Sequence, residues 1–194
     1  MTSGRVGPEN PEDLMDDRNA EIRIREITDA EELKTVAALA WKIFPETYRG
    51  LIPAAQIPYM MGVMYGDEVM RKEFAGGMKF DLLTDAGTPI GYISLHLAEA
   101  EGVKFMRLEK LYLDFSYHGR SIGNLALRHV IEEAKRAGAA YISLNVNKEN
   151  AKAQKAYLRA GFYRWRSEKE PVGNGFYKDD YVMRYDIVPV SPSV

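Results

Sequence analysis

The segment from residue 103 to residue 146 constrains the fold most, because its hydrophobic period changes twice. Residues 103–113 alternate as in a half-buried strand, a helical stripe follows, and residues 141–146 return to strand character. Two strands joined by a helix-containing connection of this length run parallel. The helical stripe consists of Ile122, Leu125, Ala126, Val130, Ile131 and Ala134, and it ends at Gly138, where a left-handed cap is expected.

Hairpin turns on both sides of this unit predict antiparallel neighbours for the parallel pair. Residues 85–88 and 100–102 have turn composition, and residues 172–175 turn into a last strand. The fold class is therefore α/β (α+β): a single three-layer domain with a mixed, mostly antiparallel sheet and helices on both faces.

The ordered domain is expected to span residues 21–187. Residues 1–20 are acidic, rich in Gly and Pro and poor in apolar side chains, which predicts a flexible tail. Residues 188–194 carry two prolines and are expected to be frayed. Within the domain, a first helix capped at Thr28 or Asp29 is predicted to end at Pro45, because proline disrupts a helix interior.

Composition excludes several classes of protein. The 194 residues fit one domain, and 46% of them are hydrophobic, which supports a full core. The absence of cysteine excludes disulfide scaffolds, thiolate metal sites and thiol nucleophiles. Three histidines without ligand spacing predict no metal. A net charge of -2 argues against broad nucleic-acid binding, and without a signal peptide or an apolar span we expect a cytoplasmic protein that makes no membrane contact.

A short polar loop between the 103–113 strand and the following helix is a candidate anion site. It contains Gly119 and Gly123, and Arg120 adds a cation. Free amides and the dipole at a helix N-terminus suit a pyrophosphate. The loop lacks the Lys of a Walker loop and the glycine spacing of a dinucleotide fingerprint. An ordinary helix start, with glycines that relieve strain, is the alternative interpretation.

A second segment, residues 150–162, places Asn150, Ala153 and Tyr157 on one face of a helix. Together the two segments resemble the GNAT family of acyl-CoA N-acyltransferases. That family's helix motif, Asn-x-x-Ala-x-x-x-Tyr-x-x-x-Gly-Phe, is complete here. Its loop motif, Gln/Arg-x-x-Gly-x-Gly/Ala, is matched in part, since His118 replaces Gln/Arg and Ser121 replaces the first glycine.

The resemblance implies that acetyl-CoA is the co-substrate and lies where the central parallel strands splay apart. The strand backbone would bond the thioester and the pantetheine arm, and the loop amides would take the pyrophosphate. His118 can also be a solvated loop histidine, and Asn150 can be only a helix N-cap. The implied cofactor-binding residues are Leu111, Tyr112, Leu113, His118, Gly119, Arg120, Ser121, Ile122, Gly123, Asn150, Ala153 and Tyr157.

The resemblance also implies catalytic roles. Tyr157 would protonate the departing thiolate, although its ring can instead be a core aromatic. Glu109 is the candidate base, with a paired sheet carboxylate as the alternative. Relatives often carry a glutamate two positions earlier, where this chain has Arg107.

The acceptor is expected to be a primary amine of a polyamine-like small molecule or of a peptide. Residues 47–53 and 173–183 resemble a bacterial branch of the family that includes polyamine acetyltransferases. Three aromatic residues are predicted to contact the amine, or else to be core: Trp41, Tyr48 and Tyr59. Asp179 and Asp180 either attract a polyamine or form a solvated pair. The alternative function is a non-catalytic acyl-CoA-binding regulatory module, and a homodimer is a further expectation.

Overall fold

The computed structural model describes residues 21–187, which form a mixed sheet with helices on both faces; both predicted tails lie outside these residues. The elements in chain order are β1 (Ile22–Glu26), α1 (Leu33–Tyr48), α2 (Gln56–Tyr65), α3 (Asp67–Ala75), β2 (Lys79–Asp85), β3 (Thr88–Ala100), β4 (Val103–Leu113), α4 (Ile122–Arg136), β5 (Tyr141–Asn147), α5 (Ala151–Arg159), β6 (Tyr163–Gly173) and β7 (Phe176–Asp186).

The sheet has the strand order β1-β2-β3-β4-β5-β7-β6. Within the described part of the chain, β4 and β5 are the one parallel pair, and α4 forms the crossover between them. All other neighbours are antiparallel. The predicted fold class is confirmed. None of the helices in residues 21–187 is long and apolar enough to span a bilayer.

The parallel pair is short and opens towards its carboxyl ends. Residues 105–108 of β4 pair with residues 141–144 of β5, although β4 continues to Leu113 and β5 to Asn147. On its other side β4 carries a bulge, because Ser94 opposes Lys110 while the next residue of β3 opposes Leu108. Glu109 is thus the extra residue. A bulge bends and twists its strand, which favours the observed splay.

The two sheet faces bury separate hydrophobic clusters. Leu108 packs with α4 residues such as Val130, whereas Phe44 and Tyr92 belong to the cluster under α1 and α2. The bulge shifts the alternation of β4, so Leu111 follows Leu108 into the first cluster at an odd spacing and Tyr112 joins the second. Beyond the bulge, the odd-numbered residues of β4 therefore face the side of the sheet that the even-numbered residues face before it.

The prediction that the first helix ends at Pro45 is wrong. A 3-10 turn at Ala30–Glu32, capped by Asp29, leads into α1, which then continues for one turn beyond the proline to Tyr48. The hydroxyl of Thr47 donates to the Ile43 carbonyl at 2.8 Å, and the Tyr48 ring lies 4.4 Å from the buried Phe44 ring. These contacts outweigh the backbone hydrogen bond that proline cannot donate.

Candidate active site

A cleft of about 710 Å³ lies where β4 and β5 diverge. Its wall combines the ends of both strands, the loop before α4, the first turns of α4 and α5, and the end of α1. Arg120, Trp41 and Tyr59 do not line it. The predicted site residues that do line it are Tyr48, Glu109, Leu111, Tyr112, Leu113, His118, Gly119, Ser121, Ile122, Gly123, Asn150, Ala153 and Tyr157.

The loop before α4 is held by Asp114. Its carboxylate accepts hydrogen bonds from the Ser116 amide at 3.0 Å and the Ser116 hydroxyl at 2.8 Å, and it also pairs with Lys42. Farther along, Ser121 adopts a left-handed conformation with φ of 59°. A residue with a Cβ pays roughly 1–2 kcal/mol for that conformation, which explains why the family motif has glycine there.

The first turn of α4 faces the cleft with little side-chain bulk. A Cβ placed on Gly123 would meet no atom within 4 Å, and this residue lines the cleft. The first amides of a helix have no intrahelical acceptor, and the helix dipole adds partial positive charge. The loop and helix start can therefore accept an anionic group.

Arg120 does not supply a cation to this site. Its guanidinium lies 3.6 Å from the Asp85 carboxylate and stacks 4.8 Å over the Tyr117 ring. The contact with Asp85 directs the guanidinium towards the β2–β3 turn, while the adjacent Ser121 lines the cleft.

His118 is half-buried and bonded through both ring nitrogens. Nε2 lies 3.0 Å from the Leu113 carbonyl, which can only accept, and Nδ1 lies 2.6 Å from Nζ of Lys152. Nδ1 is therefore an acceptor for the ammonium. Burial lowers the pKa of His118, and the nearby Lys152 charge acts in the same direction. The imidazole is neutral at pH 7 and is not itself a cation for phosphate.

The start of α5 is fixed by two amide side chains. Asn150 caps the helix, since its Oδ1 accepts from the Ala153 amide at 3.1 Å. Gln154 is buried and donates to the carbonyls of Asn147 and Lys148. The cap interpretation of Asn150 is observed, and its position in the cleft leaves the cofactor role as a prediction.

Tyr157 lies on the same helix face, with its ring 5.7 Å from the Phe162 ring. Burial raises the pKa of Tyr157, and interaction with Tyr48 raises it further. The phenol is therefore protonated at neutral pH, as a general acid must be. The ring packs like a core aromatic while the residue lines the cleft.

Glu109 is the bulge residue of β4 and lines the cleft. Its carboxylate lies 3.3 Å from Nε of Arg107 and 3.9 Å from Nδ1 of His96. Arg107 also donates to Oδ1 of Asn145 on β5 at 2.9 Å. This guanidinium stands where relatives often carry a glutamate, and its contact with Glu109 matches the paired sheet carboxylate that was the alternative interpretation.

Asp180 is a carboxyl of a different kind. The residue is 8% exposed, on β7, and burial raises its pKa, while a hydrogen bond from Asn145 acts in the opposite direction. Its charge also influences the pKa of Tyr48. Of the two sequence interpretations, a solvated pair is wrong for Asp180, because the folded chain buries this residue beside Asn145, which lines the cleft.

Four tyrosines extend from the cleft into the core beneath α1. The hydroxyls of Tyr48 and Tyr112 lie 3.2 Å apart, and Tyr92 donates to Tyr65 at 2.7 Å. The Tyr92 and Tyr112 rings stack at 5.4 Å. Burial raises the pKa of all four, so they remain uncharged hydrogen-bonding groups.

Two predicted acceptor residues lie elsewhere. Trp41 is 57% exposed on the outer side of α1. Tyr59 donates to the Val172 carbonyl at 2.7 Å and packs on Phe176 at 5.4 Å, so it joins α2 to the β6–β7 hairpin. Helical and strand periods cannot show which of several aromatics faces a cleft, since that depends on how the elements pack.

Comparison with known proteins decides the family. A family model described as the acetyltransferase (GNAT) family matches residues 35–162. The chain belongs to this family. An uncharacterized N-acetyltransferase of Mycobacterium tuberculosis is 28% identical over 172 residues, which covers 84% of this chain and all of that protein. This GNAT protein is therefore an acetyl-CoA-dependent acyltransferase, and the family resemblance is confirmed.

Solved structures agree with this GNAT fold. The PaiA N-acetyltransferase from Thermoplasma acidophilum, in complex with coenzyme A, has a TM-score of 0.68 at 23% identity and covers 85% of this chain and 98% of its own. Arabidopsis thaliana Naa50, in complex with the bisubstrate analogue CoA-Ac-MVNAL, has a TM-score of 0.65 at 20% identity, with 86% and 99% covered. At these identities the likeness extends to the fold.

Several residues of this N-acetyltransferase's cleft are absent from the residues predicted from sequence, among them three polar residues with long-range contacts. Lys152 contacts His118, Asn145 contacts Arg107, and Lys110 is buried against Glu73 at 3.0 Å. Of these three residues, only Lys152 could have been found from the sequence, because it immediately precedes the motif alanine on α5. The partners are 34 or more residues away in the chain, so the pattern within one element does not reveal them.

Proposed function

We propose that this N-acetyltransferase transfers the acetyl group of acetyl-CoA to a primary amine of a small, polyamine-like cation. The observation that carries the proposal is the acidic and phenolic character of one part of the cleft lining. The carboxylates of Glu109 and Glu149 and the hydroxyl-bearing Tyr48 and Tyr112 line it, and Asp180 is hydrogen-bonded to Asn145, another lining residue. Carboxylates and aromatic faces both attract an ammonium group.

A smaller adjoining pocket supports an extended acceptor. It measures about 170 Å³ and shares Leu51 and Glu149 with the cleft. Gln56, Tyr177 and Asp179 contribute to its lining, and Asp179 pairs with Lys148. A chain with amines at both ends can react in the cleft while its second ammonium lies near these carboxylates.

The reaction requires a neutral amine. An alkylamine has a pKa near 10.4, so deprotonation at pH 7 requires roughly 4.6 kcal/mol, and a nearby carboxylate helps to remove the proton. The amine nitrogen attacks the thioester carbonyl carbon, the C–N bond forms and the C–S bond breaks. Tyr157 donates its proton to the leaving thiolate, and the proton that the nitrogen loses on becoming an amide restores the phenol.

One assay tests both candidate acceptor classes, small amines and peptides. Thiol release from acetyl-CoA is measured with spermidine, putrescine, single amino acids and a peptide with a free α-amine. We expect the highest kcat/KM for spermidine. The bisubstrate analogue CoA-Ac-MVNAL bound to Naa50 makes the peptide the relevant competitor.

Three outcomes separate the candidates. A preference for spermidine that falls at least tenfold in Glu149→Gln, but not in Glu101→Gln on the β3–β4 turn, supports the proposal. A preference for the peptide overturns the acceptor class. Binding of acetyl-CoA without release of thiol for any amine identifies the non-catalytic regulatory module instead.

A further inference from the structure

We propose that Lys152, positioned by His118, is the cation that binds a phosphate group of coenzyme A. The inference rests on the proposed function only in that acetyl-CoA is the ligand. It assigns a role that the loop motif itself leaves unfilled, because position 118 is not a cation here and Arg120 is directed to Asp85.

The contact between His118 and Lys152 bridges the two sides of the cleft entrance. His118 belongs to the loop before α4, and Lys152 belongs to the first turn of α5. The imidazole is oriented by its 3.0 Å bond to the Leu113 carbonyl and by the Phe115 ring at 4.8 Å. The ammonium is thereby held beside the anion-accepting loop, at 2.6 Å from Nδ1 and 5.9 Å from the Phe115 ring.

The state of the imidazole determines what Lys152 can still bind. A neutral ring that donates through Nε2 accepts one of the three ammonium hydrogens through Nδ1, so two donors remain for a ligand. The charged groups around the ring are Lys152 and Asp114, and the effect of burial together with Lys152 exceeds that of Asp114. An oriented ammonium with two free donors suits a phosphate oxygen.

The other cations of the cleft are less suited to this role. Lys110 is 4% exposed and paired with Glu73. Arg159 lies seven residues beyond Lys152, about 10 Å farther along α5, and donates to the Lys155 carbonyl at 3.2 Å. Lys152 is the cleft cation that contacts a residue of the loop itself, at His118.

The test measures Kd by calorimetry for wild type, Lys152→Gln and the matched control Lys155→Gln, which removes an exposed charge from the same helix outside the cleft. We expect acetyl-CoA to bind at least tenfold more weakly to Lys152→Gln and within twofold of wild type to Lys155→Gln. The salt dependence of Kd should also become shallower in Lys152→Gln alone, because one cation–phosphate contact is lost.

Ligand fragments identify the phosphate. A loss confined to acetyl-CoA and absent with its 3′-dephospho form assigns Lys152 to the 3′-phosphate, whereas a loss with both assigns it to the pyrophosphate. S-acetylpantetheine, which has no phosphate group, should bind wild type and Lys152→Gln equally. An equal loss with S-acetylpantetheine would mean that the substitution distorts the cleft, and would overturn the proposal.

Positioning by His118 is tested separately with His118→Ala. We expect a smaller loss than in Lys152→Gln, and no additional loss in the double variant, because both act through one ammonium. Additive losses would show that His118 acts alone. If wild type binds acetyl-CoA and the Kd of Lys152→Gln is unchanged, only this inference is rejected. If wild type does not bind acetyl-CoA, the proposed function is rejected as well.

Discussion

Two polar clusters of this molecule contain similar charged and polar groups but differ in how fully those groups are paired. Between β2 and α4, Lys79 contacts Glu133 at 2.7 Å, Glu26 at 3.1 Å and Asp81 at 3.8 Å, and Asp81 accepts from His129 at 2.9 Å. Opposite charges there pair with one another. In the cleft, Lys152 uses one of its three ammonium hydrogens on His118, and burial raises the pKa of Tyr157. Asp180, which is hydrogen-bonded to the cleft-lining Asn145, also has a raised pKa.

The difference teaches how structural and functional polar groups can be distinguished on physical grounds. A closed cluster stabilises the fold, because removing one partner leaves another buried without compensation. A cleft group is kept ready for a ligand, so its removal should affect binding or turnover more than folding. Each of the following substitutions breaks or sharpens that contrast.

Lys79→Met should have the largest effect, on stability. It leaves Asp81 and Glu133 without their shared ammonium, and we expect a loss of about 3 kcal/mol in the free energy of unfolding, or roughly a hundredfold in the unfolding equilibrium. Urea denaturation measures it, with Lys72→Met on the exposed side of α3 as the control. A loss no larger than that of the control would contradict the closed cluster.

The same variant carries a pH signature. Burial opposes ionisation of Glu133, but the bond from Lys79 together with the charges of Lys79, Arg136 and His129 outweighs it, and the pKa of Glu133 is lowered. A lowered carboxyl pKa stabilises the fold above the ordinary range near 4.5, and this contribution disappears as the pH falls through the folded-state value. The difference between wild type and Lys79→Met should therefore shrink below about pH 4.

Tyr157→Phe should lower kcat on the order of 10²-fold, with the Kd for acetyl-CoA and the Tm little changed. The substitution keeps the ring against Phe162 and removes only the proton donor. Tyr163→Phe, on exposed β6, is the matched control. Turnover within about threefold of wild type would end the general-acid assignment, and a large drop in Tm would identify a structural hydroxyl.

Gly123→Leu should weaken acetyl-CoA binding by roughly tenfold or more through crowding of the anion site. The new side chain meets no protein atom near its Cβ, so the Tm of the free protein should change little. Acetyl-CoA at one hundred times the wild-type Kd stabilises wild type by about 2.7 kcal/mol, and this stabilisation, with the increase in Tm that reports it, should fall by about half or more in Gly123→Leu. Arg128→Leu on the exposed side of α4 controls for added apolar surface; an undiminished ligand-induced increase in Gly123→Leu would refute the placement.

Asp180→Asn should have the smallest effect, and of opposite sign to Lys79→Met. The raised pKa of Asp180 means that its ionised form destabilises the fold above the ordinary range near 3.8, a penalty that protonation removes as the pH falls. The asparagine should raise Tm at pH 7 by roughly 2–4 °C, and the difference should diminish towards pH 4. A lower Tm at pH 7 would place Asp180 with the closed, structural carboxylates.

Much of the fold was predictable because its signals are local. The change of period between residues 103 and 146 predicted the parallel pair, and turn residues predicted the hairpins that are observed. The motif from Asn150 to Phe162 predicted the helix that forms one wall of the cleft. These features depend on residues within about one element of each other, so a single stretch of sequence contains them.

The states of the site groups depended on tertiary structure. The sequence determined the family, the element order and the face shared by Asn150, Ala153 and Tyr157. Only the packing decided that α1 continues past Pro45 and brings Tyr48 to the cleft, that Arg107 contacts Glu109, and that His118 accepts from Lys152. Local backbone preference follows from neighbouring residues, whereas charge, burial and hydrogen bonding are set by groups that are distant in the chain and adjacent only after folding.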